Sequence, residues 1–140
     1  MTMGSVREIR LALADQIGAL EYDGLRRLAQ SAQHQLMSDS GSAREVSTLL
    51  EARPQRRLLA EAGDDRRSDF ESLRDLARRK MANRLKDFPR VRSDNTFKTA
   101  INAALRNLVF ALVLQDRLSA ADFNVLTAPW RNATGWPPPP

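Results

Sequence analysis

The sequence predicts an all-α fold: a compact bundle of five to seven helices with a long central apolar helix near the C-terminus. Three observations lead there. Apolar residues recur at steps of three and four along most of the chain, the spacing that gathers them on one face of a helix. Four stretches, SVRE at Ser5, SARE at Ser42, SDFE at Ser68 and SAAD at Ser119, set a serine three residues before an acid. In that arrangement the serine oxygen accepts from the N3 amide while the acid reaches back to the cap amide. Finally, no stretch alternates apolar and polar residues between hairpin turns, so strands have no signal.

The first box opens a helix whose Val6, Ile9, Leu13, Ile17 and Leu20 form one stripe. Asp23 and Gly24 suggest a break or kink before Leu25, Leu28, Ala32 and Leu36 resume the pattern, which leaves open whether this is one helix or two. SDSGSA is a loop, a short helix is expected from about Ala43 to Arg53, and Pro54 suits the first turn of another that ends near Gly63. From Ser68 onward Phe70, Leu73, Ala77, Met81, Leu85 and Phe88 fall within one arc, and Pro89 stops that helix. RVRSDN reads as a loop.

A long helix is expected from about Asn95 to Asp116, because no turn residue separates LVFALVL from the helical FKTAINAALRN before it. The last box, with Leu118 and Phe123 as a hydrophobic staple, starts a short helix over AADFNVLTA that breaks at Pro129. The expected organisation is a single helical domain over residues 1–128 and an extended, mobile Trp/Pro-rich tail over 129–140. GWPPPP has the composition of a frayed end, or of a polyproline segment that docks through Trp136.

At 140 residues the chain has the length of one domain, enough to remove roughly 70% of the unfolded surface from water. It has no cysteine, which excludes disulfides, thiolate zinc sites and thiol nucleophiles, and a single histidine cannot build a histidine metal site. Glu21 with Asp23, and Asp64 with Asp65, are acids at helix ends, explained by capping and the helix dipole without a metal. Neither a metal nor a cofactor is expected. The opening segment meets Glu8 and Asp15 early and lacks a long apolar run. The apolar segment from Thr99 to Gln115 is shorter than the roughly 20 residues a bilayer needs and carries Asn102, Arg106 and Asn107. A cytoplasmic protein without a membrane span is the expectation.

The charge is unevenly distributed. Arg78, Arg79, Lys80, Arg84, Lys86, Arg90, Arg92 and Lys98 stand against Asp87 and Asp94 alone, so residues 78–98 carry +6 while the whole chain carries +5. All the positive excess therefore lies in this one stretch. Such clustering fits an anionic partner, either an acidic protein or nucleic acid held through its phosphates, and RVRSDN brings Arg90 and Arg92 close to a helix N-terminus, whose free amides favour anions. It also fits a solvated helix face, since Arg79 and Lys86 lie opposite the apolar stripe. Arg84 falls inside the apolar arc, where it must snorkel or meet an acid. No zinc-finger spacing or RNP motif supports base reading.

Leu108 to Leu114 is apolar all the way round, so that segment must be buried on every side. Either its own chain wraps it, or Phe110, Val113 and Leu114 complete their burial against a second copy in a homodimer.

Arg27 and His34 in RRLAQSAQH are separated by six residues, a spacing that resembles the Arg-x4-6-His motif of the HEPN ribonucleases. The resemblance implies an all-helical dimer that cleaves RNA without a metal, His34 acting as general acid or base and Arg27 stabilising phosphate charge. Against it stands the reading the charge pattern favours: a non-catalytic interaction or regulatory module whose basic surface over residues 78–98 engages an anionic partner, general nucleic-acid binding being the alternative.

Overall fold

The computed structural model describes residues 5–37 and 50–140, and all regular structure among them is helical. The elements are α1 (Val6–Ala19), α2 (Tyr22–Met37), α3 (Ala52–Ala62), α4 (Asp64–Leu85), α5 (Pro89–Ser93), α6 (Asn95–Val113) and α7 (Ala120–Thr134). The box at Ser42 and the first seven residues of the helix expected from Ala43 to Arg53 fall outside the described residues; of the rest, Leu50 and Glu51 are not helical, and Ala52 and Arg53 already open α3, two residues before Pro54.

Two of the serine boxes act as caps. Ser5 accepts from the Glu8 amide at 3.2 Å and Ser119 from the Asp122 amide at 3.1 Å, each satisfying a donor that its helix cannot pair internally. Ser68 does not: it lies inside α4, which begins four residues earlier at Asp64. The cause is Gly63, whose φ of 104° is open to glycine but strained for other residues, and which at once ends α3 and starts α4. Asp64 and Asp65 then fill the first turn, where the helix dipole favours negative charge.

The chain breaks between α1 and α2 at Leu20 and Glu21, not at Gly24. Gly24 is buried within α2, where a Cβ would lie 3.3 Å from the Leu20 side chain, so glycine there serves the close approach of the break to the following helix. Pro89 ends α4's path as expected but opens α5, a helical turn in place of a loop, anchored by buried Val91. α6 stops at Val113, three residues before the expected end.

Pro129 does not end α7, which runs on to Thr134 and closes at Gly135 in the left-handed conformation. A proline inside a helix leaves the carbonyl four residues back without its amide donor. Here that carbonyl belongs to Val125, and the Gln35 side-chain amide of α2 donates to it. The expected extended tail is corrected with it: Trp130 is 1% exposed, and Trp136 packs partly buried against the core, its amide donating to the Thr134 hydroxyl.

α6 packs against α2, α4, α5 and α7, while α1 and α3 lie on α4. One core joins Leu13 and Ile17 of α1, Leu25 and Leu28 of α2, Leu73 and Met81 of α4, Ile101 and Leu108 of α6, and Leu126 and Trp130 of α7. Phe110, Val113 and Leu114 belong to this core at 0%, 4% and 1% exposure. The surface expected to meet a second copy is thus covered by the chain's own helices. Leu11 is the exposed large apolar side chain among the described residues. No described helix is long and apolar enough to cross a membrane.

Candidate anion-binding surface

α4 supplies most of the basic block, and its helical period decides where each cation goes. At 100° per residue, Arg79 and Lys86 point away from the buried stripe of Phe70, Leu73, Ala77, Met81 and Leu85, and both are exposed. Arg78 and Lys80 leave on the two flanks, also exposed. Arg90 and Arg92 project from α5, and Lys98 from the first turns of α6.

Arg84 is different. Its Nε donates to the Leu20 carbonyl at 2.8 Å, its Nη1 pairs with Asp87 at 3.0 Å, and its guanidinium lies 5.1 Å from the centre of the Phe88 ring. Leu20 is the C-cap of α1, a helix with no basic residue in its last turn, so Arg84 brings positive charge to a helix C-terminus from outside. Arg66 does the same at the other end of α4, donating to the Val113 carbonyl at the C-terminus of α6 and pairing with Asp116 at 2.9 Å. Arg84 is a structural cation and leaves the set of residues expected to bind a partner.

A second correction concerns the amides beyond RVRSDN. The Asp94 side chain caps α6, accepting from Thr96 at 3.0 Å and Phe97 at 3.3 Å, so these amides are not open to a ligand. Both acids of the block are therefore engaged, Asp87 by Arg84 and Asp94 by the α6 cap. Among the described residues no carboxylate forms an ion pair with Arg78, Arg79, Lys80, Lys86, Arg90, Arg92 or Lys98.

The fold also brings in cations from outside the block. The buried side chains of Gln55 on α3 and Asn107 on α6 are joined at 2.8 Å, which places the neighbouring Arg56 and Arg106 at the same junction. Arg106 is half-buried; its Nη2 donates to the Leu50 carbonyl at 3.4 Å, and its buried Nε has no partner among the described residues. Desolvation lowers its pKa from the ordinary arginine value, and repulsion by Arg78 and then Arg56 acts in the same direction. Arg56 and Arg106 carried no signal in the sequence, because their meeting depends on which helices pack together.

Arg27 and His34 lie on one exposed face of α2, seven residues and so roughly 10 Å apart along the helix axis. No group of His, Cys, Asp and Glu among the described residues has the arrangement to hold a metal ion. Comparison with known protein families, curated proteins and solved structures returns no match.

Proposed function

We propose that the protein is a non-catalytic interaction module that engages an anionic partner, an acidic protein in the first instance, through Arg78, Arg79, Lys80, Lys86, Arg90, Arg92 and Lys98. The observation that supports this reading is the internal use of both acids of the basic segment, which leaves these exposed cations without an intramolecular counter-charge. A stretch whose charges served solubility alone has no need to concentrate the chain's whole positive excess in one place. The reading requires no second copy, since the apolar side chains that motivated a homodimer are buried by their own chain.

The test is fluorescence anisotropy with a labelled polyglutamate peptide and, in parallel, a labelled single-stranded oligonucleotide, each titrated across a range of salt. Affinity for the peptide is expected to fall steeply as salt rises and to weaken about tenfold or more in Arg90→Glu/Arg92→Glu, through loss of screened charge contacts. A response flat in salt, or unchanged in the double variant, removes the proposal. Tighter binding of the oligonucleotide with the same dependence on Arg90 and Arg92 replaces the acidic protein by nucleic acid as the partner.

A further inference from the structure

We infer that Arg56, Arg78 and Arg106 together form a site for a dianionic phosphate group, the anchor point of the anionic partner; the inference deepens the reading above and rests on it for the partner, though not for the site.

Three helices build the site. α3 and α4 are consecutive across the single residue Gly63, and α4 packs in turn on α6. The Gln55 to Asn107 hydrogen bond closes the triangle between α3 and α6. Arg56 follows Gln55, Arg106 precedes Asn107, and Arg78 follows Ala77, which is buried at the core face of α4. Each arginine thus sits one residue from a buried contact, and rigid elements rather than loops fix where it emerges.

The electrostatics of the cluster are incomplete as they stand. Arg106 is partly withdrawn from water, and one of its five donors, Nε–H, is buried without a partner among the described residues. A buried donor of this kind is costly to leave unmade. Arg78 and Arg56 repel it, and no described carboxylate forms an ion pair with any of the three. Arg74 and Arg131 also have a buried Nε without a partner among the described residues, but Arg74 lies 3.9 Å from Asp75 and Arg131 donates to Asn124 through both terminal nitrogens, whereas Arg106 has the Leu50 carbonyl and no described side-chain acceptor. An anion at this junction supplies acceptors for the planar guanidinium forks and offsets the repulsion that Arg78 and Arg56 exert on Arg106.

The charge count selects the anion. A carboxylate carries one negative charge and a phosphodiester one per phosphate, spread along a strand. A phosphate monoester carries about −1.5 to −2 near neutral pH on three acceptor oxygens, the closest match to three arginines at one helix junction.

The test uses the full chain and inorganic phosphate, with pyrophosphate and a phosphoserine peptide as further arms at constant ionic strength. The Arg Nε–Hε resonances are followed by NMR. A saturable shift at Arg106 is expected, weakened about tenfold in Arg56→Gln and about tenfold at pH 5, where the phosphate loses its second charge. Arg56 is exposed on α3, so its replacement leaves the core intact, as circular dichroism will verify. Arg90→Glu/Arg92→Glu is expected to leave phosphate affinity within about twofold while weakening polyglutamate, which separates the site from the wider surface. Saturation by the phosphoserine peptide at lower concentration than by free phosphate identifies the group as part of a protein partner. The inference is overturned by a shift that rises linearly without saturating, by equal affinity in Arg56→Gln, or by an oligothymidylate that saturates Arg106 where phosphate does not.

Discussion

Phe110→Ala distinguishes a side chain that serves its own fold from one that serves a second copy. Phe110 is fully buried in one copy, among the core residues that α2, α4, α6 and α7 share. Removing a buried phenyl ring costs the transfer free energy of the lost atoms plus the cavity that remains, about 3–5 kcal/mol in total. A domain of this size has about 5–15 kcal/mol of stability, so the variant folds but loses a large share of its margin. With a urea m-value of about 2 kcal/mol/M, a loss of about 4 kcal/mol moves the unfolding midpoint down by ~2 M. The assay is equilibrium urea unfolding read by Trp130 and Trp136 fluorescence at two protein concentrations tenfold apart, with light scattering on the folded protein. Because the contacts are intramolecular, the midpoints of both proteins are expected to be independent of concentration, and scattering to return the monomer mass of 15.7 kDa. A wild-type midpoint that climbs with concentration, with the climb abolished in Phe110→Ala, refutes the assignment and restores a dimer interface at this residue.

Ser119→Ala removes the cap of α7 and is expected to cost about 1 kcal/mol in the same urea assay, whereas Ser68→Ala, inside α4, is expected to stay within about 0.5 kcal/mol of wild type. Equal losses at the two serines would contradict the start of α4 at Asp64. Arg84→Met keeps much of the apolar stem but loses the Leu20 and Asp87 contacts, and is expected to lower stability by about 1–2 kcal/mol while changing polyglutamate affinity less than twofold. A large loss of affinity without a loss of stability would return Arg84 to the binding surface.

Where a fold decision is local, the sequence carried it. The Ser5 and Ser119 caps, the stripe from Phe70 to Leu85 and the end of α3 at Gly63 each depend on residues within one or two turns of each other. Where the decision is tertiary, local rules misled. Pro129 looks like a helix stop because the carbonyl of Val125 loses its amide, yet Gln35, ninety positions earlier in the chain, replaces the missing donor. Gly24 looks like a break, yet its lack of a side chain is used to admit Leu20. Ser68 satisfies the capping pattern in a place where Gly63 has already started the helix. In each case a residue's intrinsic preference is real but is satisfied by a partner that the linear pattern does not reveal.

The same distinction governs the charge. A run of cations along a helix is not a cluster in space, because six residues turn the helix by 600°, which leaves Arg78 and Arg84 on opposite flanks of α4. One flank faces the end of α1, and there Arg84 is absorbed by a carbonyl and a carboxylate. The other lies toward α6, and there Arg78 repels Arg106, from outside the run, and has no described carboxylate in ion-pair contact. Density along the sequence therefore names a segment but not its neighbours in space: Arg106, the arginine that Arg78 repels, stands in sequence among mostly apolar residues. A ligand drawn only to the run should lose affinity in proportion to the charges removed from it. One that reads the junction should respond most to Arg56, a residue more than twenty positions away from the block, and that inequality follows from helix packing alone.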